Sequence, residues 1–191
     1  MDILSVFIYS YFLGSIPFGL IITKLFLNKD IREVGSGNIG STNVLRTGKK
    51  SLAIATLLLD MLKGYATILI SLKYFYDLVF LSSLICFLGH IFPVWIKFKG
   101  GKGVAVYFGI ILALSVPLGI VFGITWLLLA IIFRYSSLSS IIGSLIVFCY
   151  SVFMNNFSLS LFLFIIFIII LFTHKENIRK LKNSEENKIK L

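Results

Sequence analysis

The feature that most constrains this chain is a series of long apolar runs separated by short polar stretches. The runs cover about residues 3–27, 52–72, 78–96, 104–133, 138–154 and 157–172. About 18 or more consecutive apolar residues suit a helix that crosses a bilayer. Hydrophobic residues make up 58% of the chain and mean hydropathy is +1.00, against roughly 45–50% apolar residues in a soluble domain. One small core cannot absorb that excess. The expected fold is therefore an all-α integral membrane bundle, and the expected organisation is a single membrane-embedded domain over residues 1–191, with no internal repeat and no second soluble domain.

The run at 104–133 is too long for one straight helix across about 30 Å of hydrocarbon. Pro117 and Gly119 lie near its middle, so the sequence predicts two short spans joined near residues 115–119, and seven transmembrane helices in all. Residues 1–27 are read as the first span rather than a cleaved leader, because no basic region precedes them. Gly14, Pro17 and Gly19 predict a kink or close helix contact within it.

Basic residues then orient the bundle. Seven spans put residues 28–51, 97–103, 134–137 and the tail 174–191 on one side. Of the 18 Lys and Arg residues, sixteen fall on that side, counting Lys24 at the end of the first span; Lys63 lies inside a span and Lys73 in the turn at 73–77. That side is expected to be cytoplasmic, with the N-terminus outside and the C-terminus inside. Reading 104–133 as one helix would put the six basic residues of the tail outside, so the charge asymmetry supports the break.

Within this frame a few polar groups need an explanation. Asp60 and Lys63 sit near the middle of the second span, where each costs roughly 2.5–3.5 kcal/mol on insertion scales. Three apart, they share a helix face and can pair. They either lock the bundle as an ion pair or handle substrate or protons, and in both cases should point inward. The loop Gly35-Ser36-Gly37-Asn38-Ile39-Gly40-Ser41-Thr42-Asn43-Val44-Leu45-Arg46 is either an ordinary polar loop or a cradle in which glycine amides converge on an anion and Arg46 grips phosphate. Gly100, Gly101 and Gly103 surround Lys102 at the start of a helix, as a phosphate nest or as a positive anchor at the membrane edge. His90 reads as a packing or hydrogen-bonding histidine. In the tail, a continuing helix would put His174 and Asn177 on one face; otherwise the segment is a solvated basic tail touching anionic lipid. Cys86 and Cys149 lie in apolar runs and read as small packing residues.

The wording of these stretches is more specific than their composition. The loop from Gly35 to Arg46, then Gly89-His90-Ile91-Phe92-Pro93 with Lys99-Gly100-Gly101-Lys102-Gly103-Val104-Ala105, then His174-Lys175-Glu176-Asn177-Ile178-Arg179 resemble, in order and spacing, the three motifs of the bacterial acyl-phosphate:glycerol-3-phosphate acyltransferase family (PlsY type). The resemblance covers essentially the whole chain. It departs at Ser41, where alanine is usual, and beyond Leu181, where Lys182-Asn183-Ser184-Glu185-Glu186 replaces the usual leucine and, two residues on, glycine.

That resemblance implies a seven-helix bundle of the bacterial cytoplasmic membrane with a cytoplasmic active site. It implies acyl transfer from acyl phosphate to the 1-hydroxyl of glycerol 3-phosphate, giving lysophosphatidate and phosphate for phospholipid synthesis. The family's functional residues fall on Ser36, Arg46, Lys102, His174 and Asn177. Gly35, Gly37, Asn38, Gly40, Thr42, Asn43, Gly100, Gly101 and Gly103 are the expected phosphate-binding set, with Asp60, Lys63 and His90 as possible support. No metal, cofactor or nucleic acid is expected; the expected partners are the two substrates, membrane lipid and an enzyme that produces acyl phosphate. Direct attack with the donor phosphate taking the proton ranks first, His174 as base second, a covalent acyl-Ser36 third. An organic-anion transporter and a noncatalytic scaffold are the rival classes.

Overall fold

Helix ends in this chain fall where the polar and proline breaks put them. The structure is a computed structural model that describes residues 1–189; Lys190 and Leu191, the end of the expected tail, lie outside the described residues. Two compact units are present, Met1–Leu114 and Ser115–Leu191.

The first unit opens with α1 (Asp2–Ser15) and α2 (Phe18–Leu27), separated at Ile16-Pro17. Proline has no N–H and fixes its own φ, so the kink expected near Gly14, Pro17 and Gly19 is a clean break. A 3₁₀ turn over Ile31–Glu33 and the short α3 (Ser41–Leu45) fold the first polar loop. Then come α4 (Lys50–Tyr74), α5 (Val79–Ile91), a 3₁₀ turn over Val94–Ile96, and α6 (Val104–Leu114). Helix α4 packs along α6, and α1 along α5. Small residues let these backbones meet: a side chain at Gly14 would strike the Cys86 carbonyl, and one at Gly109 the Met61 carbonyl. Hydroxyls tie the same helices, with Tyr9 bonded to Ser71 at 2.5 Å and Ser10 to Ser82 at 2.8 Å.

The second unit holds α7 (Val116–Phe133), α8 (Ser136–Phe153), α9 (Phe157–Thr173) and α10 (Lys175–Lys182). Pro117 stands in the first turn of α7, where its missing N–H costs nothing. Helix α8 is packed on one side by α7 and on another by α9. Buried Ser139, Ser140, Ser144 and Ser151 return their hydroxyls to the preceding turn, as Ser139 does to the Tyr135 carbonyl at 2.9 Å, and Ser140 accepts the Trp126 indole N–H at 3.0 Å.

The expected interruption of residues 104–133 is present, at Ser115. The expected count of seven spans is not reached by length alone. Among the described residues, five segments are long and apolar enough to cross a membrane: Asp2–Leu27, Lys50–Tyr74, Tyr76–Ile96, Val116–Phe133 and Ser136–Phe153. Helices α9 and α10, bent by 61°, make a sixth if taken together. Helix α6 has only 11 residues, roughly 16 Å of rise. The long segments carry exposed apolar side chains such as Ile54, Leu58 and Leu62 on α4 and Ile124, Leu128 and Ile132 on α7. Such faces suit lipid and would be a liability in water.

Candidate active site

The first polar loop is built around one buried side chain. Asn43, 2% exposed, accepts the Ser36 backbone N–H through Oδ1 at 3.0 Å. Its amide donates to the carbonyls of Ile31 at 3.0 Å, Val34 at 2.9 Å and Asn38 at 2.8 Å. Expected as a phosphate ligand, Asn43 is instead the loop's organiser. Beneath it, Leu20, Ile31, Ile39, Val44, Ala53 and Ile96 form a buried apolar cluster. Each fully buried aliphatic side chain contributes about 1.5–3 kcal/mol relative to exposure to water. Ile96 comes from the turn between the two halves of the second motif, so both motifs are anchored in this cluster.

Gly35, Ser36, Gly37 and Arg46 remain exposed at the surface of this loop. Gly35 has φ +57° and Gly37 φ +72°, in the left-handed region where a Cβ is costly. A Cβ at Gly35 would also lie 2.9 Å from Arg46 Cδ and 3.3 Å from its Nη1. The Arg46 side chain therefore lies across the glycine backbone next to Ser36. Gly40 caps α3 with extended geometry. At the loop's entry, Asp30 caps the Ile31–Glu33 turn and forms a two-pronged ion pair with Arg32, Nε to Oδ1 at 2.9 Å and Nη2 to Oδ2 at 2.6 Å. That pair holds the Asp30 carboxyl down at about 2, and the Arg32 guanidinium correspondingly up.

The second motif folds back on the end of α5. Gly101 N–H donates to the His90 carbonyl at 3.1 Å and Gly100 N–H to the Ile91 carbonyl at 3.0 Å. These two amides close the loop, whereas the nest reading had them facing an anion. Gly100 and Gly101 are glycines for lack of room: a Cβ would meet the His90 carbonyl at the first and the His90 ring at the second. Gly103 has φ +84° and backs on the Phe87 ring. Lys102 stands between these three fixed backbones, just before α6.

Asp60 and Lys63 pair on α4 at 2.8 Å, each 2% exposed at the side chain. They face inward and share a helix face, as expected. Lys63 Nζ also donates to the Ile16 carbonyl at 2.6 Å and reaches His90 Nδ1 at 3.0 Å. The ammonium has only protons to offer, so His90 accepts at Nδ1 and carries its ring proton on Nε2.

In the second unit the expected continuous helix through His174 and Asn177 is replaced by the bend between α9 and α10. His174 is the junction residue, 2% exposed. Its Nδ1 lies 2.8 Å from the Ile170 carbonyl; a carbonyl only accepts, so Nδ1 carries a proton. Asn177 Nδ2 donates to Glu186 Oε1 at 2.7 Å, and Ser137 Oγ lies 3.1 Å from the same oxygen. Glu186 was not among the expected site residues. The signal that could have found it is an acidic pair, Glu185-Glu186, inside an otherwise basic tail. Ser184, at the position where the resembling family has glycine, adopts φ +60°. Serine here adopts a left-handed conformation that glycine takes at less cost.

The chain matches the family model described as "Glycerol-3-phosphate acyltransferase" over residues 4–184. It is 53% identical over 191 residues, all of both chains, to the glycerol-3-phosphate acyltransferase of Pelagibacter ubique (strain HTCC1062). It is 46% identical over 190 residues to that of Brucella anthropi, covering 99% of this chain and 94% of that one. Among solved structures it is similar to PlsY (YgiH), an integral membrane glycerol 3-phosphate acyltransferase, in its glycerol 3-phosphate form. There the TM-score is 0.93 and identity 35%, covering 100% of this chain and 96% of that one. The lysophosphatidic acid form of PlsY matches with TM-score 0.90 and 34% identity, covering 98% and 95%. Family and fold together answer the transporter and scaffold alternatives: this integral membrane chain is an acyltransferase and belongs to the glycerol-3-phosphate acyltransferase family.

Proposed function

We propose that this protein transfers an acyl group from acyl phosphate to the 1-hydroxyl of sn-glycerol 3-phosphate, releasing lysophosphatidate and inorganic phosphate. The observation that carries the reading is its likeness to PlsY structures in glycerol 3-phosphate and lysophosphatidic acid forms, which are acceptor and product of one reaction. An acyl phosphate is already an activated anhydride, so the protein need only neutralise phosphate charge and align the hydroxyl with the carbonyl.

Ser36, Gly37 and Asn38 hold one phosphate, Arg46 and Lys102 the other, and His174 and Asn177 orient the acceptor. Gly35, Gly40 and Thr42 belong to the first cradle, and Gly100, Gly101 and Gly103 fix the backbone around Lys102. The acceptor oxygen bonds to the acyl carbon, the carbon–oxygen bond to phosphate breaks, and the hydroxyl proton leaves on the departing phosphate. The exposure of Ser36, Gly37 and Arg46 supports direct use of this loop. His174 as base ranks second, and acyl-Ser36 third. The reaction needs neither metal nor cofactor.

The enzyme works as one domain over residues 1–191 in the bacterial cytoplasmic membrane, with seven spans, of which α6 is the short one. The concentration of Lys and Arg in the polar stretches favours an outside N-terminus and a cytoplasmic C-terminus. Its donor implies a companion enzyme that makes acyl phosphate.

The test is purified protein with palmitoyl phosphate and glycerol 3-phosphate, following released phosphate and the acyl product. Stoichiometric release of both is expected. Transfer from a thioester donor with none from acyl phosphate would overturn the donor assignment.

A further inference from the structure

Lys63 lies where four parts of the first unit meet. Its ammonium contacts Asp60 of its own helix at 2.8 Å, the Ile16 carbonyl at 2.6 Å and His90 Nδ1 at 3.0 Å, and stands 5.6 Å from the centre of the Phe18 ring. Ile16 and Phe18 flank Pro17 at the break between α1 and α2. The ammonium therefore hydrogen-bonds two acceptors, both on other elements, and has an ion-pair partner on its own helix.

Each of those two acceptors leads to a substrate loop. Gly19, three residues beyond Ile16, packs so closely that a Cβ there would strike the Ile39 carbonyl and lie 3.1 Å from Thr56 Cγ2. Ile39 directly follows Asn38 in the first motif. On the other arm, His90 meets Gly101 twice. Its carbonyl accepts the Gly101 N–H at 3.1 Å, and its ring, at Nε2, fills the space a Gly101 Cβ would take. Lys102 is the next residue.

We propose that Asp60, Lys63 and His90 are positioning residues, a buried polar strut that sets the first motif through the Ile16-Pro17 break and the Lys102 loop through His90. The inference rests on the reading of those loops as substrate-holding. A simple ion pair between α4 residues would need only Asp60 and Lys63. Here the ammonium is shared with a backbone carbonyl at a helix break and with a histidine wedged against a glycine. Charges buried this deeply in a membrane span are rare and cluster at functional sites, and a buried pair is weak evidence of stability in itself. Asp60 orients the ammonium, and the two outward donations fix loop positions that chain geometry alone would leave loose.

The experiment compares amide exchange in the whole protein, in detergent, for wild type, Lys63→Met, Asp60→Leu/Lys63→Met and His90→Asn. Exchange reports the loops whatever the acyl donor is, so a wild type silent with acyl phosphate overturns the donor reading and leaves this test standing. The double variant removes both charges and should keep its melting temperature. Even so, its amides at Ser36, Gly37, Gly100 and Gly101 should exchange about tenfold faster, and KM for glycerol 3-phosphate should rise more than kcat falls. His90→Asn keeps an acceptor near the Nδ1 position but withdraws the ring, so only the Gly100–Gly101 amides should speed up. A mere bundle lock predicts that the double variant recovers wild-type exchange and KM, and that His90→Asn is silent; either result overturns the strut. If the double variant does not fold, His90→Asn decides alone: equal acceleration in both loops, or in neither, sinks the proposal.

Discussion

The Asn43 carboxamide oxygen accepts the Ser36 backbone N–H at 3.0 Å, and the same side chain donates to three loop carbonyls. The loop from Ile31 to Asn43 is thus folded over one buried amide. Asn43→Ala leaves several buried backbone groups unpaired, each costing about 1–3 kcal/mol. The loop should open while the apolar helices stand. Acyl transfer should fall about 100-fold, with a small change in melting temperature. Asn43→Asp, which keeps the oxygen but loses the donors, should fail nearly as badly; turnover near wild type in either would show that the amide is not the organiser.

Arg46 lies across Gly35, 2.9 Å from the place a Cβ would occupy. Two variants approach this contact from opposite sides. Arg46→Ala should remove a two-pronged phosphate ligand and lower kcat about 100- to 1,000-fold, and Arg46→Lys should recover little, since an ammonium cannot reproduce the planar fork. Gly35→Ala should press on Asn43 Oδ1, displace the Arg46 side chain and strain a φ of +57°, with a loss approaching that of Arg46→Ala. Steady-state assays of released phosphate would check both. A Gly35→Ala enzyme of normal activity would mean that Arg46 works from another position.

Much of this was legible before any coordinates, for reasons that differ by element. The spans follow from apolar runs, and the interruption at Ser115 from Pro117 in a run too long for one helix. The Asp60–Lys63 pair follows from spacing on a helix face. Three things were not legible. Asn43 looks like its polar neighbours, because its role comes from folding the loop back on itself, which has no sequence period. The glycines around Lys102 read as an anion nest, yet their scarcity of space comes from His90 and Phe87 on another helix. The bend at His174 has neither proline nor glycine to announce it, so a helix continuing to Asn177 was the natural expectation.

Asp30 gives a pH dependence whose sign can be worked out. Its carboxyl is held at about 2, against an ordinary 3.8, chiefly by the Arg32 hydrogen bond. A depressed carboxylate contributes stability above the unfolded value and loses it as pH falls through the folded one. The contribution of this pair should therefore be complete above roughly pH 4 and gone near pH 2. Asp30→Asn should lower the melting temperature at neutral pH and converge with wild type at the acid end. A constant offset between the two proteins across that window would rule out the ion pair as its source.

Glu186 holds Asn177 by a 2.7 Å hydrogen bond and lies 3.1 Å from the Ser137 hydroxyl, so the carboxylate fixes how the Asn177 amide is turned. Glu186→Gln keeps an acceptor oxygen of the same reach, and its activity should stay within about tenfold of wild type. Glu186→Ala leaves the Asn177 amide without this anchor. The loss should approach that of Asn177→Ala, and the double variant Glu186→Ala/Asn177→Ala should be scarcely worse than either single one, because coupled residues are not additive. Additive losses in the cycle would mean that Glu186 acts on the reaction by a route that does not pass through Asn177.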